Sequence, residues 1–161
     1  MKNIQRHRYK DKKIFETRTL TFEPYPYSEI EDVIGLIQDN LTDDLLKGKK
    51  VLMYPDDIKT NRFYGHCYHA SQALHYLIDC DTLIPMSGED YRGEKHWWLQ
   101  DSERIYDCTA KQYLDIGETP PYNTGKKSVW YGWKQRPQQI SLNLTVRVLG
   151  DRLLSDEISC F

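Results

Sequence analysis

Three residues of this chain have the types that thiol chemistry requires: Cys67, His96 and Asp107. A free cysteine has a pKa of about 8.5, so it serves as a nucleophile near neutral pH only where its thiolate is stabilised. The first turn of a helix offers one device, through N–H groups without intrahelical acceptors and roughly half a positive charge. A histidine within hydrogen-bond reach offers the second. It forms a thiolate–imidazolium pair and carries protons between nucleophile and leaving group. A carboxylate on the far side of the ring then fixes its tautomer. An acyl-transfer intermediate also needs donors for its oxyanion. The Cys67 backbone N–H is the expected first donor. Asn61 is the expected side-chain donor, with Tyr64 and His66 as the other candidates.

The elements around these residues decide whether they can meet. From Gly65 to Ile78 the chain reads GHCYHASQALHYLI. Cys67, Ala70, Ser71, Leu74, Leu77 and Ile78 recur at helical spacing, which predicts an α-helix with this face turned inward. The thiol then lies in the first turn, at the start of the buried stripe. His96–Gln100 (HWWLQ) and Arg104–Cys108 (RIYDC) read as two strands of a hairpin joined by residues 101–103. His96 and Asp107 lie near its open end, where cross-strand neighbours share a face. Taken singly, each residue has a plain structural role: a small buried hydrophobe, a packing histidine, a turn aspartate. The order helix-start Cys, strand His, strand Asp is what points to catalysis.

The remaining segments supply the scaffold. Lys13–Phe22 alternates and predicts a strand, stopped by Pro24 and Pro26. Ser28 is placed to cap a helix with Ile30, Val33, Ile34 and Ile37 on one face. A short helix is expected over Leu41–Leu46 and an irregular connection over 47–62. A strand is expected over Thr82–Met86, followed by a loop over Ser87–Lys95. Thr109 can cap a helical turn over Ala110–Leu114, and 117–137 reads as a loop rich in Gly, Pro and aromatics. Residues 138–154 fit a helix slightly better than a strand. The fold class is α+β, because hairpins rather than crossovers supply the strands. One domain over 13–161 is expected, with the Cys-bearing helix packed on an antiparallel sheet and a flexible basic arm at 1–12.

Bulk properties narrow the setting. A net charge of −2 gives no reason to expect nucleic acid as a partner. No run approaches the roughly 18–20 apolar residues of a membrane span, and no apolar signal segment opens the sequence. A cytoplasmic protein, of the producing or the host cell, is therefore expected. Cys67, Cys80, Cys108 and Cys160 should then be thiols rather than disulfides. No metal or cofactor is expected: His66 and His69 have helical ligand spacing, but His96 and Cys108 would have to complete the set. Tyr64, His66, Trp98, Trp130 and Trp133 are the expected substrate-binding residues.

The pieces Gly65-His66-Cys67-Tyr68, His96-Trp97-Trp98-Leu99 and Tyr106-Asp107-Cys108-Thr109 resemble the transglutaminase-like branch of the papain-like superfamily. In that branch a Cys opens a helix, a His begins a strand, and an Asp followed by a small residue and Thr ends the next strand. Cys108 departs from the proline often found between Asp and Thr. GHCYHASQALHYL, KHWWLQD, YDCTA and PPY are also similar to small bacteriophage and bacterial proteins of unassigned function. The resemblance covers a third to a half of the chain. It implies a papain-like fold and a Cys-His-Asp triad working by acyl transfer on a protein, peptide or small amide, as an amide hydrolase, protease, deamidase or transglutaminase. Since the superfamily includes members without activity, the alternative is an inactive binding or inhibitory module acting on a host protein or small molecule through the aromatic loop at 117–136.

Overall fold

The computed structural model describes residues 1–46, 56, 61–102, 104–132 and 137–161. Most of the irregular connection expected over 47–62 and the expected substrate contact Trp133 lie outside them. Strands β1 (Lys2–Lys10) and β2 (Lys13–Phe22) form an antiparallel hairpin. The short β3 (Tyr25–Pro26) precedes helix α1 (Ile30–Asp39). Helix α2 (Cys67–Leu77) runs into β4 (Ile78–Asp79), the parallel partner of β3. Then come β5 (Ile84–Glu89), β6 (Lys95–Asp101), β7 (Arg104–Tyr106), the one-turn helix α3 (Lys111–Leu114) and β8 (Lys126–Lys127). Helix α4 (Gln139–Leu149) and strand β9 (Leu153–Cys160) complete the order.

The architecture is α+β, with antiparallel sheets ordered β1-β2-β9 and β7-β6-β5-β8. Helix α2 is the centre. Every residue from Cys67 to Leu74 is buried, including the polar His69, Ser71 and Gln72. It packs against β6 and against α4, whose Leu142, Leu144 and Val148 turn inward. The apolar spacing read from the sequence is thus only part of a helix enclosed on all sides. Among the described residues no helix is long and apolar enough to cross a membrane.

The structure corrects several expectations. Residues 2–10 are not a flexible arm but an edge strand. Asp11 and Lys12 both take positive φ, 51° and 65°, making the two-residue turn that suits a hairpin. Ile4 pairs with Leu20 and is buried, and the Lys2 ammonium donates to the Tyr76 carbonyl at 2.6 Å. The turn was hard to read because Asp-Lys replaces the usual Asn-Gly. Ser28 lies in a 3-10 turn, Tyr27–Glu29, and caps nothing; Leu41–Leu46 holds only a 3-10 turn, Asp43–Leu45. Strand β5 continues to Glu89, into the segment read as loop. The helix reading of 138–154 describes α4, after which Gly150 at φ 52° turns the chain into β9, pairing Asp156 with Leu20 of β2.

Candidate active site

The turn before α2 determines where the thiol sits. Tyr64 N–H donates to the Asn61 carbonyl and His66 N–H to the Phe63 carbonyl, while Gly65 takes φ 83°, a conformation that favours glycine. Helical bonding begins with Ala70 N–H to the His66 carbonyl at 3.0 Å. Cys67 is therefore in the first turn, where the helix presents its positive end. The residue is 9% exposed, and its Sγ lies 4.0 Å from the Lys95 carbonyl, the residue before His96.

The second half of the site comes from strand register. Leu99 pairs with Tyr106, and carrying that register one step further sets Asp107 opposite Trp98. Alternation puts Trp98 and His96 on one face, so Asp107 lies diagonally across from His96. The His96 Nε2–H donates to Asp107 Oδ2 at 2.7 Å, with side chains 0% and 3% exposed. The carboxylate is held from three further donors. Tyr122 OH reaches Oδ2 at 2.8 Å, and the Thr109 N–H and hydroxyl reach Oδ1 at 3.0 and 3.5 Å. An aspartate so held fixes the ring in the tautomer that leaves Nδ1 towards Cys67.

Two glycines make the Tyr122 contact possible. Gly88 pairs with His96 across the sheet, and a Cβ there would meet Thr124 Oγ1 and the Pro121 carbonyl at 2.7 and 2.8 Å. A Cβ on Gly125 would strike the Trp98 ring. The 121–125 segment can therefore lie directly on the sheet and lower Tyr122 onto Asp107.

Electrostatics follow from this packing. Burial is the largest influence on His96 and disfavours the charged ring. Hydrogen bonding and charge from Asp107 and Cys67 outweigh it and raise the imidazole to about 10. Nδ1 is buried and makes no full hydrogen bond, while the thiol acts on the ring as both polar partner and charge. Burial, with the Asp107 charge and hydrogen bond, pushes the Tyr122 phenol well above its usual value, so it stays a donor. Tyr113 packs edge-on to His96 at 4.8 Å and donates to Asp90 Oδ2 at 2.9 Å; burial and that bond raise it likewise.

Cys67 opens on a cleft of about 240 Å³ walled by Tyr64, Asp90, Glu94, Gln112 and Tyr113. That volume suits a side-chain-sized group rather than a large ligand. Cys67, His96 and Asp107 are brought together, and Tyr64 reaches the cleft with its OH 3.2 Å from both Glu94 oxygens. Other expected contacts are corrected. Asn61 spends its side chain in the turn: Oδ1 accepts from Phe63 N–H, and Nδ2 donates to the Gln112 carbonyl at 2.8 Å. His66 is fully buried, with Nδ1 2.7 Å from His69 Nε2. Trp98 is enclosed in the interior, its ring 5.8 Å from His96 and 5.1 Å from Tyr122. Trp130 packs in the core on Tyr68, Trp97 and His75. Large apolar rings won burial over exposure. Among the described residues no group of three or more His, Cys, Asp or Glu is arranged to hold a metal.

Sequence reasoning passed over Gln112, Tyr113, Tyr122 and Asp90. Tyr122, in the Pro-Pro-Tyr run, carried the one visible signal: a rigid turn delivering a phenol. No family model, curated protein or solved structure matches the chain.

Proposed function

We propose that this chain is a thiol-dependent acyl-transfer enzyme of papain-like or transglutaminase-like design, with Cys67 as nucleophile, His96 as acid and base, and Asp107 as the group that orients the ring. The observation that carries the reading is the buried His96–Asp107 bond at 2.7 Å on a ring whose protonation Cys67 also biases. Structural cores seldom bury an imidazole between a carboxylate and a thiol that opens on a cleft.

In this reading the proton rests on His96 and the thiolate attacks an amide carbonyl. A C–S bond forms while the carbonyl electrons move to oxygen. Collapse of that intermediate breaks the C–N bond as His96 passes its proton to the departing nitrogen. The thioester on Cys67 is then attacked by water or by an amine while His96 removes a proton from the incoming group, and the C–S bond breaks to release the acyl product and restore the Cys67 thiolate. Water gives an amide hydrolase, protease or deamidase; an amine gives a transglutaminase. A phage or bacterial intracellular setting belongs to the same proposal and rests on the sequence resemblance.

Iodoacetamide labelling at pH 6, mapped by mass spectrometry, tests the reading. Cys67 should react much faster than Cys80 or Cys160, although Cys160 is the exposed one. His96→Ala should remove the preference. Uniform slow labelling would mark the chain as a papain-like binding module without turnover.

A further inference from the structure

Gln112 belongs to the first turn after the Asp107 strand, where its N–H donates to the Thr109 carbonyl. The residue is 8% exposed, yet it walls the cleft on which Cys67 opens. Its Oε1 is buried and meets no hydrogen-bond partner among the described residues. Buried polar atoms almost always find partners, because an orphan loses its bonds to water without replacement. The backbone around it is well held: Asn61 Nδ2 donates to its carbonyl, and Tyr113, the next residue, is tied to Asp90. A fixed backbone thus carries an amide whose Oε1 meets no partner among the described residues, in a side chain that walls the cleft on which Cys67 opens.

We propose that Gln112 is the side-chain donor of the oxyanion site, its Nε2–H bonding the substrate oxygen as negative charge develops there. The inference rests on the acyl-transfer reading of Cys67. It gives Asn61 a different part from the one its position suggested: a positioning residue that holds the Gln112 backbone. Oε1 is the buried end of the amide, and no hydrogen bond among the described residues engages Nε2, so the donor end is not taken up within the described fold. Donors aimed at developing charge in a dry site stabilise the intermediate more than the substrate, which is the requirement for faster chemistry.

Acylation and alkylation of the same sulfur separate this role from general support of the site. With p-nitrophenyl acetate, the thiolate adds to the ester carbonyl, an oxyanion forms, and its collapse expels p-nitrophenolate to leave a thioester. With iodoacetamide the thiolate displaces iodide and no oxyanion forms. Gln112→Ala in the full chain should slow the p-nitrophenolate burst about 10²-fold. Alkylation of Cys67 at pH 6 should stay within about twofold of the unsubstituted protein, since Gln112 takes no part in stabilising the thiolate. Gln112→Glu, which keeps the shape but offers a carboxylate to the oxyanion, should lose at least as much acylation. It also decides the matter if the alanine variant folds poorly. Unchanged acylation in a folded variant would overturn the proposal, and so would a parallel fall in both rates. If the unsubstituted protein shows no preference for Cys67 in alkylation, the acyl-transfer reading itself fails, a result distinct from a Gln112 effect that is absent.

Discussion

Two carboxylate pairs of nearly equal length sit in different parts of this fold. Asp107 meets His96 at 2.7 Å with side chains 3% and 0% exposed; Asp156 meets Arg18 at 2.8 Å with side chains 31% and 14% exposed. The Arg18–Asp156 pair is doubled, Nε to Oδ1 at 2.9 Å and Nη2 to Oδ2 at 2.8 Å, and joins β2 to β9 at the open sheet. Water competes for that pair and screens it, so its main effect is to favour one strand register. The same chemistry enclosed between α2, β6 and the 121–125 segment raises an imidazole to about 10. Burial, more than bond length, separates a register mark from a candidate catalytic pair.

The largest change expected from breaking the contrast is in reactivity. His96→Ala should slow iodoacetamide modification of Cys67 at pH 6 at least about tenfold, since an unassisted thiol is only about 0.3% thiolate there. Asp156→Asn should leave that rate unaltered. Stability should divide the two pairs next. Asp107→Ala leaves Nε2 buried without its acceptor and should cost about 3 kcal/mol in equilibrium urea unfolding. Tyr122→Phe removes one bond to the same charged acceptor and should cost about 1.5 kcal/mol. A Tyr122→Phe cost near zero would show that the carboxylate is held by Thr109 and His96 alone. Asp156→Asn should cost less than about 1 kcal/mol, because the pair is partly solvated.

The pH dependence has opposite signs in the two regions. His96 is raised above its ordinary value of 6.5, so the stability it contributes is complete below pH 6.5 and is lost as pH rises towards about 10. Asp156 is held below 3.8, first by its hydrogen bond to Arg18, so its contribution is present above pH 3.8 and is lost as pH falls below that. Melting temperatures measured across pH should therefore lose their alkaline decline in Asp107→Ala and keep it in Asp156→Asn.

Much of the site's skeleton was readable in one dimension. Helical spacing put Cys67 at the head of a buried stripe because core-facing residues recur every three or four positions. The strand readings around His96 and Asp107 gave them a shared face because side-chain direction alternates strictly. Both are local periodicities, and a sequence records those directly. What lay beyond reach came from contacts between distant segments. Tyr122 meets Asp107 only because Gly88 and Gly125 let a loop lie flat on the sheet, and no local pattern announces that approach. Nearness in sequence to Cys67 suggests Asn61 for the reacting oxygen, whereas packing turns its side chain to the Gln112 backbone and sets Gln112 at the cleft. Trp98 and Trp130 were offered to substrate, and the core took both. Residue order and periodicity thus determined which chemistry the chain could attempt. Tertiary packing alone decided which side chains were excluded from water, which buried polar atoms were left without partners among the described residues, and hence how strongly the same groups act.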